Sequence, residues 1–206
     1  MNIINASISG RKVVFENILE DIPGGVSLFT YRLDYTASTK KYLKAGAPVY
    51  VNLDARTAEV CKTTKSAVAI DATHLFVPAG HHFVVGNSIT DFVNCRVISA
   101  IAASGTTHDI FTVPSGLVYT ADTVYAEAAS GAASAYAASA ASQACAFTPN
   151  ALIKHDVNIA DGNADVAVVK MGTVREDALD YPIPSDFKIA LRGGILGTGT
   201  SLITIV

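Results

Sequence analysis

The sequence predicts a mainly β protein, a sandwich or barrel-like β domain with one short C-terminal helix. Short segments rich in Val, Ile, Thr and aromatic residues recur along the chain, as expected for strands. Gly, Pro, Asn and Asp separate these segments at short intervals. Many short strands with turn residues between them are typical of β-sandwiches and β-barrels.

The first strands and their turn follow from residues near the N-terminus. Residues 11–20 are rich in Val, Ile and Phe and predict a strand. Pro23 and Gly24 suit the central positions of a type II turn, because glycine accepts the positive φ that the second position needs. A second strand is predicted at residues 26–33, and the polar residues 36–41 predict a loop.

A β-hairpin is predicted next. Residues 47–53 alternate so that a strand would place Val49 and Val51 on one face and Tyr50 on the other. Pro48 has no N–H donor, so it belongs at the beginning of this strand or on a sheet edge. A turn and a returning strand complete the hairpin, at residues 54–56 and 57–62.

The remaining chain continues the same pattern and adds the helix. Turn residues lie between its strands, at residues 78–80, 86–87, 104–105, 114–116 and 161–163. Residues before proline avoid the α region, so residues 181–184 are predicted to be extended. Ser185 is predicted as the N-cap of the helix, residues 186–192, which Gly193 ends. The predicted strands are residues 67–70, 83–85, 93–101, 108–113, 123–128, 151–159, 166–174 and 201–206.

One segment, residues 126–146, consists mainly of alanine and serine. Alanine favours a helix, but the serines and Gly131 weaken one. The run is therefore either a small-residue helix packed on a neighbour or an extended insertion lying on another subunit. A free linker is a third interpretation, which the scarcity of charge disfavours.

These segments suggest a division of the chain into four parts. They are an N-terminal segment (1–41), a β-rich domain (42–128), the Ala/Ser-rich insertion (129–147) and C-terminal strands with the short helix that complete the β domain (148–206).

The composition restricts the classes of function. Half of the residues are hydrophobic and 16% are charged, against about 25% in an ordinary domain. So little charge suggests that other chains cover much of the surface. No membrane span is predicted, because no stretch of about 18–20 residues is strongly apolar, and no signal peptide is visible. The net charge of −3 without a basic run argues against nucleic-acid binding.

Metal and disulfide chemistry is not predicted either. The three cysteines, Cys61, Cys95 and Cys145, are far apart and form no CxxC pair, so they are interpreted as small buried hydrophobes. His81 and His82 are adjacent and would point to opposite faces of a strand, so they cannot easily share one metal with the nearby His74. A polar turn leading into a strand is the preferred interpretation of residues 78–82.

Patterns that resemble active sites are incomplete. Residues 194–201 have the glycine spacing of a phosphate-binding loop, but Thr200 stands where lysine is required. Ser104, His108 and Asp109 are too close in sequence for a triad, whose members converge from separate segments. An acidic group lacks the calcium-loop pattern and is expected to face solvent: Asp161, Asp165, Glu176, Asp177 and Asp180. The sequence therefore predicts a protein that is not an enzyme, with no catalytic residue, metal ligand or cofactor.

Four segments resemble the head fibre and head decoration proteins of tailed bacteriophages. They are residues 43–50, LKAGAPVY; residues 80–87, GHHFVVGN, with Asn87 where an acidic residue is expected; residues 166–174, VAVVKMGTV; and residues 181–184, YPIP, running into Phe187 and Ala190-Leu191. The resemblance covers roughly residues 42–206 in patches. None of its motifs is catalytic.

The resemblance implies a structural virion protein that decorates or cements the capsid surface. Such a protein is commonly a homotrimer, its partner is the major capsid protein, and it is made in the host cytoplasm. The chain stops where head fibres continue into a shaft, which favours a compact decoration protein. The segments expected to form interfaces are residues 1–10, the Ala/Ser-rich run and the C-terminal strand.

An alternative remains, a head fibre base or a tail-associated adhesin that binds a host surface glycan. That function needs an exposed aromatic cluster. The residues that could supply such a cluster are Tyr31, Tyr35, Tyr42 and Tyr50.

Overall fold

The structure, a computed structural model, describes residues 13–71, 73–115, 117, 120–129, 145–193 and 201–206. Within these ranges the chain is mainly β, with one short helix near its C-terminal end, which confirms the predicted fold class. Three of the segments discussed above fall outside the described residues wholly or in large part: residues 1–10, the Ala/Ser-rich run and the glycine loop at 194–201.

Short strands dominate the described chain. In chain order they are β1 (Phe15–Asp21), β2 (Val26–Leu28), β3 (Tyr42–Leu43), β4 (Pro48–Asn52), β5 (Thr57–Val60), β6 (Thr63–Lys65), β7 (Val68–Asp71), β8 (His74–Pro78), β9 (Ser88–Thr90), β10 (Cys95–Val97), β11 (Ala100–Ser104), β12 (His108–Thr112), β13 (Val124–Glu127), β14 (Ala151–Ile153), β15 (Val157–Asn158), β16 (Ala164–Val166), β17 (Val168–Val174) and β18 (Leu202–Ile205). The helix α1 spans Ser185–Leu191, and two 3-10 turns span Ser38–Lys40 and Glu176–Ala178.

The large sheet has eight strands and curls into a half-barrel. Its order is β1-β17-β14-β4-β5-β2-β16, and β18 adds to β17 in parallel. Strands from both ends of the chain therefore meet in one sheet. One face of this sheet buries a core that includes Leu28, Val49, Val51, Val60 and Ile153.

Two four-stranded sheets are built from the middle of the chain. Their orders are β10-β9-β13-β6 and β11-β12-β8-β7, and β15 pairs with β3 in a separate ribbon. Large side chains from these sheets and their loops form a second core, which includes Leu75, Phe83, Ile89, Phe111 and Tyr125.

Helix α1 packs against the end of the large sheet. Phe187 and Leu191 of the helix share a third core with Val174, Ile203 and Ile205. The C-terminal strand is thus held in the sheet of its own chain. Among the described residues, no helix has the length and apolar composition needed to cross a membrane.

Several local predictions are confirmed. Gly24 has φ of +74°, and the Gly25 N–H donates to the Ile22 carbonyl at 3.2 Å, as a type II turn at Pro23-Gly24 requires. Pro48 is the first residue of β4. Strands β4 and β5 form the predicted antiparallel hairpin, and Val49 and Val51 are buried on one face while Tyr50 is exposed on the other.

The strand predicted at residues 83–85 is wrong. The Phe83 N–H donates to His81 Nδ1 at 3.1 Å, and the Val84 N–H donates to Asn87 Oδ1 at 2.9 Å. Side chains thus take the donors that a strand would give to its neighbour. The strand predicted over residues 26–33 ends at Leu28, and the region predicted as one strand at 93–101 forms parts of β10 and β11.

The predicted helix boundary is also wrong by one residue. Pro184 is the N-cap, and Ser185 is the first helical residue and makes no side-chain capping bond. The ψ of 161° at Pro184 places that residue outside the helix in extended backbone.

Candidate functional site

A buried group of charged side chains lies between the large sheet and the small sheets. Lys40, at the end of the first 3-10 turn, places its Nζ 2.8 Å from Asp34 Oδ2 and 2.9 Å from Asp109 Oδ2. Asp109 lies on β12, and its Oδ2 is also 2.8 Å from His81 Nε2. Lys40, His81 and Asp109 are all buried. We call Asp34, Lys40, His81 and Asp109 the Lys40 centre.

The hydrogen bonds of His81 determine which ring nitrogen carries the proton. The Phe83 N–H donates to Nδ1, so Nδ1 carries no hydrogen. The ring hydrogen is therefore on Nε2, which donates it to Asp109. Burial, together with the positive charge of Lys40, lowers the pKa of His81 to about 4. The histidine is therefore neutral at pH 7.

This neutral His–Asp pair has no spare nitrogen for proton transfer. A cavity of about 620 Å³ reaches His81 and Tyr181. A general base, however, needs one ring nitrogen for the orienting carboxylate and the other for the proton that it abstracts. At His81 the second nitrogen is taken by a backbone amide, so the pair acts as a packing and hydrogen-bonding element.

Ser104, His108 and Asp109 do not converge as a catalytic triad. The His108 ring stacks on Phe76 with centroids 4.6 Å apart, and its Nδ1 bonds Thr107 Oγ1 at 2.8 Å. Asp109 points instead into the Lys40 centre. Ser104 pairs with His108 only as a cross-strand neighbour in the β11–β12 ladder.

His82 has different hydrogen-bond partners from His81. Its Nδ1 lies 3.0 Å from the Asp34 carbonyl and its Nε2 lies 2.8 Å from the Tyr181 hydroxyl. The predicted turn is present at Ala79 and Gly80, where the His81 N–H donates to the Pro78 carbonyl at 3.4 Å, but it does not lead into a strand. Both histidines are nevertheless buried. The reason is that Lys40, Asp109 and Tyr181, all distant in sequence, supply their polar partners. The described residues hold no group of three His, Cys, Asp or Glu side chains that could bind a metal ion.

A second buried ion pair lies beside β13. Glu127 Oε1 accepts from Lys62 Nζ at 3.1 Å and from Arg32 Nη2 at 2.8 Å. Asn87 Oδ1 accepts from the same Lys62 Nζ at 2.7 Å. The amide oxygen of Asn87 thus receives the bond that the expected acidic residue would also have received.

The cysteines are free thiols. Cys61 and Cys95 are buried, as predicted, and Cys145 is half-buried. Burial raises the pKa of the Cys145 thiol to about 12 and also raises the pKa of Cys61. All three are therefore poor nucleophiles at neutral pH.

The acidic stretch faces solvent, as expected, because all five of its members are exposed. Glu176 pairs with Lys188 at 2.6 Å and Asp177 pairs with Arg175 at 2.7 Å. These are surface ion pairs with small energetic weight.

Exposed apolar side chains lie on β1 and β18, the two strands that flank β17. In β18, Ile203 and Ile205 point into the core, whereas Leu202 is 58% exposed. Met171 of β17 lies opposite Leu202 on one side and opposite Glu20 of β1 on the other. Leu19 of β1 is 73% exposed. We call Leu19, Met171, Leu202 and Val206 the apolar end surface.

The four tyrosines do not form a single cluster. The Tyr50 ring stacks on Phe147 with centroids 6.0 Å apart, and Tyr50 lies opposite Glu59 in the hairpin. The Tyr31 hydroxyl donates to Glu59 Oε1 at 3.4 Å. Tyr42 instead faces the Lys44 ammonium, which lies 5.7 Å from the ring centroid. Tyr31 and Tyr50 thus share one neighbourhood, and Tyr42 packs with a partner of its own.

Sequence reasoning did not find the Lys40 centre. Lys40 lay in a predicted polar loop, and its partners are 41 residues away at His81 and 6 residues away at Asp34. The one available signal was the unusual density of ionisable residues at 34–41 and 81–82 in a chain so poor in charge. The comparisons with known proteins add no family to this description, because no family model, curated protein or solved structure matches the chain.

Proposed function

We propose that the chain is a structural protein that decorates the capsid of a tailed bacteriophage and assembles with copies of itself. The observation that supports this most is the pairing of scarce charge with the apolar end surface. Only 16% of residues are charged, and large apolar side chains such as Leu19 and Leu202 are exposed on the two strands that flank β17. Exposed apolar side chains grouped on neighbouring strands are typical of contact with other polypeptides.

The strands beside this surface suit contact with another polypeptide. Among the described residues, β1 and β18 each pair with β17 alone. Unpaired strand edges can add a strand from another chain through backbone hydrogen bonds, which need no charged side chains. Bulges in β1 between residues 15 and 21 interrupt its ladder, so β18 is the more regular edge.

The Lys40 centre orders the interior of the subunit, and we assign it no catalytic role. Its histidine has both ring nitrogens in hydrogen bonds within the protein. A decoration protein must bind many equivalent capsid sites, and an oligomer that engages several of them gains avidity through effective concentration.

Two measurements test the proposal. The first is the mass of the purified protein in solution by native mass spectrometry, for which we expect an oligomer. The second is co-sedimentation with capsids that lack decoration, for which we expect saturable binding. A monomer that does not bind capsids would refute the proposal.

A matched pair of variants locates the interface. Leu202→Glu places a charge on the apolar end surface, and Val93→Glu places one at a residue of similar exposure, 61%, in the turn between β9 and β10. We expect Leu202→Glu to weaken assembly or capsid binding and Val93→Glu to leave both unchanged. Equal effects would remove the apolar end surface from the proposal.

Residues 1–10 remain a predicted capsid contact. We expect their deletion to reduce occupancy on purified capsids, measured by the ratio of decoration protein to capsid protein in the pellet. Unchanged occupancy would rule out this segment as an arm.

A further inference from the structure

Lys62 is a buried amine held against a side-chain amide. Its Nζ donates to Asn87 Oδ1 at 2.7 Å, and the residue is 3% exposed. A carbonyl bond is about 1.2 Å long, so the Asn87 Cγ carbon lies within about 4 Å of the amine nitrogen. Reacting atoms in near-attack arrangements are about 3–3.5 Å apart. A nucleophile and an electrophilic carbon are therefore close neighbours in the folded chain.

Three adjacent strands hold these groups in place. Glu127 is the last residue of β13, the strand that lies between β6 and β9. Lys62 directly precedes β6, and its carbonyl accepts from the Glu127 N–H at 2.9 Å. Asn87 directly precedes β9, whose Ser88 carbonyl accepts from the Ala128 N–H at 2.9 Å. Backbone pairing thus fixes the amine, the amide and a carboxylate at neighbouring positions.

Glu127 supplies a base next to the amine. Its Oε1 lies 3.1 Å from Lys62 Nζ, and its side chain is 4% exposed. Arg32 donates to the same Oε1 at 2.8 Å, whereas Oε2 has no hydrogen-bond partner among the described residues. Burial disfavours the charged amine and lowers the pKa of Lys62. Transfer of a proton from Nζ to Glu127 neutralises both groups and gives the amine the electron pair that attack requires.

The amide carbonyl is polarised and shielded from water. The Val84 N–H donates to Asn87 Oδ1 at 2.9 Å. Negative charge develops on this oxygen during attack at Cγ, so the N–H lies where an oxyanion donor is needed. The fully buried Phe83 ring has its centroid 5.8 Å from Lys62 Nζ. This apolar wall limits the access of water, which would compete with the amine for the carbonyl carbon.

We propose that Lys62 and Asn87 form an intramolecular isopeptide bond by their own reaction, with Glu127 as the proton carrier. The bond from Lys62 Nζ to Asn87 Cγ forms, and the bond from Cγ to Nδ2 breaks. The two protons that the Lys62 ammonium group loses pass through Glu127 to Nδ2, which leaves as ammonium. One amide replaces another, so the reaction needs no oxidant. The inference rests on this contact alone and does not depend on capsid decoration.

The bond closes a loop of residues 62–87, which contains β6, β7 and β8. A cross-link that closes a loop restricts the unfolded chain and thereby stabilises the folded one. The three cysteines are free thiols. The isopeptide bond would therefore give the subunit a covalent cross-link that does not depend on an oxidising environment.

Mass spectrometry of the purified and denatured full-length protein tests the proposal. We expect an intact mass about 17 Da below that of the sequence, the mass of the ammonia released. Trypsin should fail to cleave after Lys62 and should yield residues 57–65 joined to residues 66–96 as one branched peptide. This peptide distinguishes the cross-link from ring closure of an asparagine on its own backbone, which loses the same mass.

Two variants remove the reaction by different routes. Lys62→Arg keeps the positive charge but has no amine to form the amide, and Glu127→Gln keeps the shape but cannot carry the proton. We expect both to have the full mass of their sequences. Lys154→Arg is the matched control, because Lys154 also pairs with a carboxylate, that of Asp21 at 2.7 Å. It should lose the same mass as the wild type.

Three outcomes would overturn the proposal. They are a folded wild type that keeps the full sequence mass after prolonged incubation, a branched peptide that joins other residues, and an undiminished mass loss in folded Glu127→Gln. Far-UV circular dichroism shows which variants are folded, and the wild-type mass decides even where a variant fails to fold. All these masses are measured on the isolated protein, so their outcome is independent of the capsid co-sedimentation assay.

Discussion

His81 owes its protonation state to residues far away in the chain. Its Nδ1 is bonded to a local amide, but the burial and the Lys40 charge that lower its pKa come from the packing of separate segments. The ordinary pKa of histidine is 6.5 and the pKa of His81 in the folded protein is about 4, so the unfolded chain binds more protons between these two pH values. Stability is therefore fully present above about pH 6.5 and falls as the pH drops towards 4.

We predict that this histidine makes the protein acid-sensitive. The shift corresponds to a loss on the order of 3 kcal/mol in the free energy of unfolding between pH 7 and pH 4. Burial also lowers the pKa of His82, which acts in the same direction. Urea unfolding at pH 7 and pH 4 measures the loss. His81→Gln cannot protonate, so its loss should be smaller, and His74→Gln, at a histidine near the surface, should match the wild type. An equal loss in His81→Gln would contradict the prediction.

Gly172 is required by a close approach of two backbones. A Cβ at this position in β17 would meet the Asn17 carbonyl oxygen of β1 inside any normal contact distance. We predict that Gly172→Ala destabilises the protein by about 1–3 kcal/mol, because the strands must separate to admit the methyl group. Gly80→Ala is the control, since nothing lies within 4 Å of its added Cβ. Urea unfolding of both variants measures the two losses. An unchanged free energy of unfolding in Gly172→Ala would show that β1 does not pack against Gly172.

At the scale of elements, alternation in β18 gives a direct test of the core. Ile203 is fully buried beside α1, and its neighbour Leu202 points outward. We predict that Ile203→Ala lowers the free energy of unfolding by about 2–5 kcal/mol, the usual cost of emptying a packed site. Leu202→Ala should cost much less under the same conditions. Similar losses at the two positions would mean that the strand is not inserted as described.

Elements set by local chemistry could be predicted from sequence. The Pro23-Gly24 turn and the β4–β5 hairpin depend on neighbouring residues only, so their patterns were sufficient. The irregular conformation of residues 83–85 could not be predicted from sequence. Their amides donate to the side chains of His81 and Asn87, which are loop residues with no periodic signal. The helix start was missed by one residue because Pro184 and Ser185 are both acceptable before a helix.

The sites required knowledge of the whole fold. Cysteine burial and the exposed acidic stretch follow from residue type, and both were predicted with Cys145 as a partial exception. The Lys40 centre brings β12 together with two loops, and no spacing rule links Lys40 to Asp109. The shared neighbourhood of Tyr31 and Tyr50 likewise depends on how β2, β4 and β5 pair.

At the scale of the molecule, the Lys40 centre connects the two halves of the fold. Asp34 lies in the loop that follows β2 of the large sheet, and Asp109 lies on β12 of a small sheet. Lys40→Met would leave both carboxylates without their shared cation. We predict a loss of about 3–5 kcal/mol in the free energy of unfolding at pH 7, the usual consequence of breaking a buried pair from one side. Lys154→Met, which removes the partly exposed partner of Asp21, should cost much less.

The same variant should lose less stability than the wild type as the pH falls. Lys40 is the second cause of the low pKa of His81, after burial. Without Lys40 the ring faces Asp109 and Asp34 with no competing cation, so its pKa rises and a proton on His81 replaces part of the missing charge. The deficit of Lys40→Met relative to the wild type should therefore be largest at pH 7 and shrink at pH 5, as measured by urea unfolding. A deficit that stays constant over this range would mean that Lys40 and His81 are not coupled through the carboxylates they share.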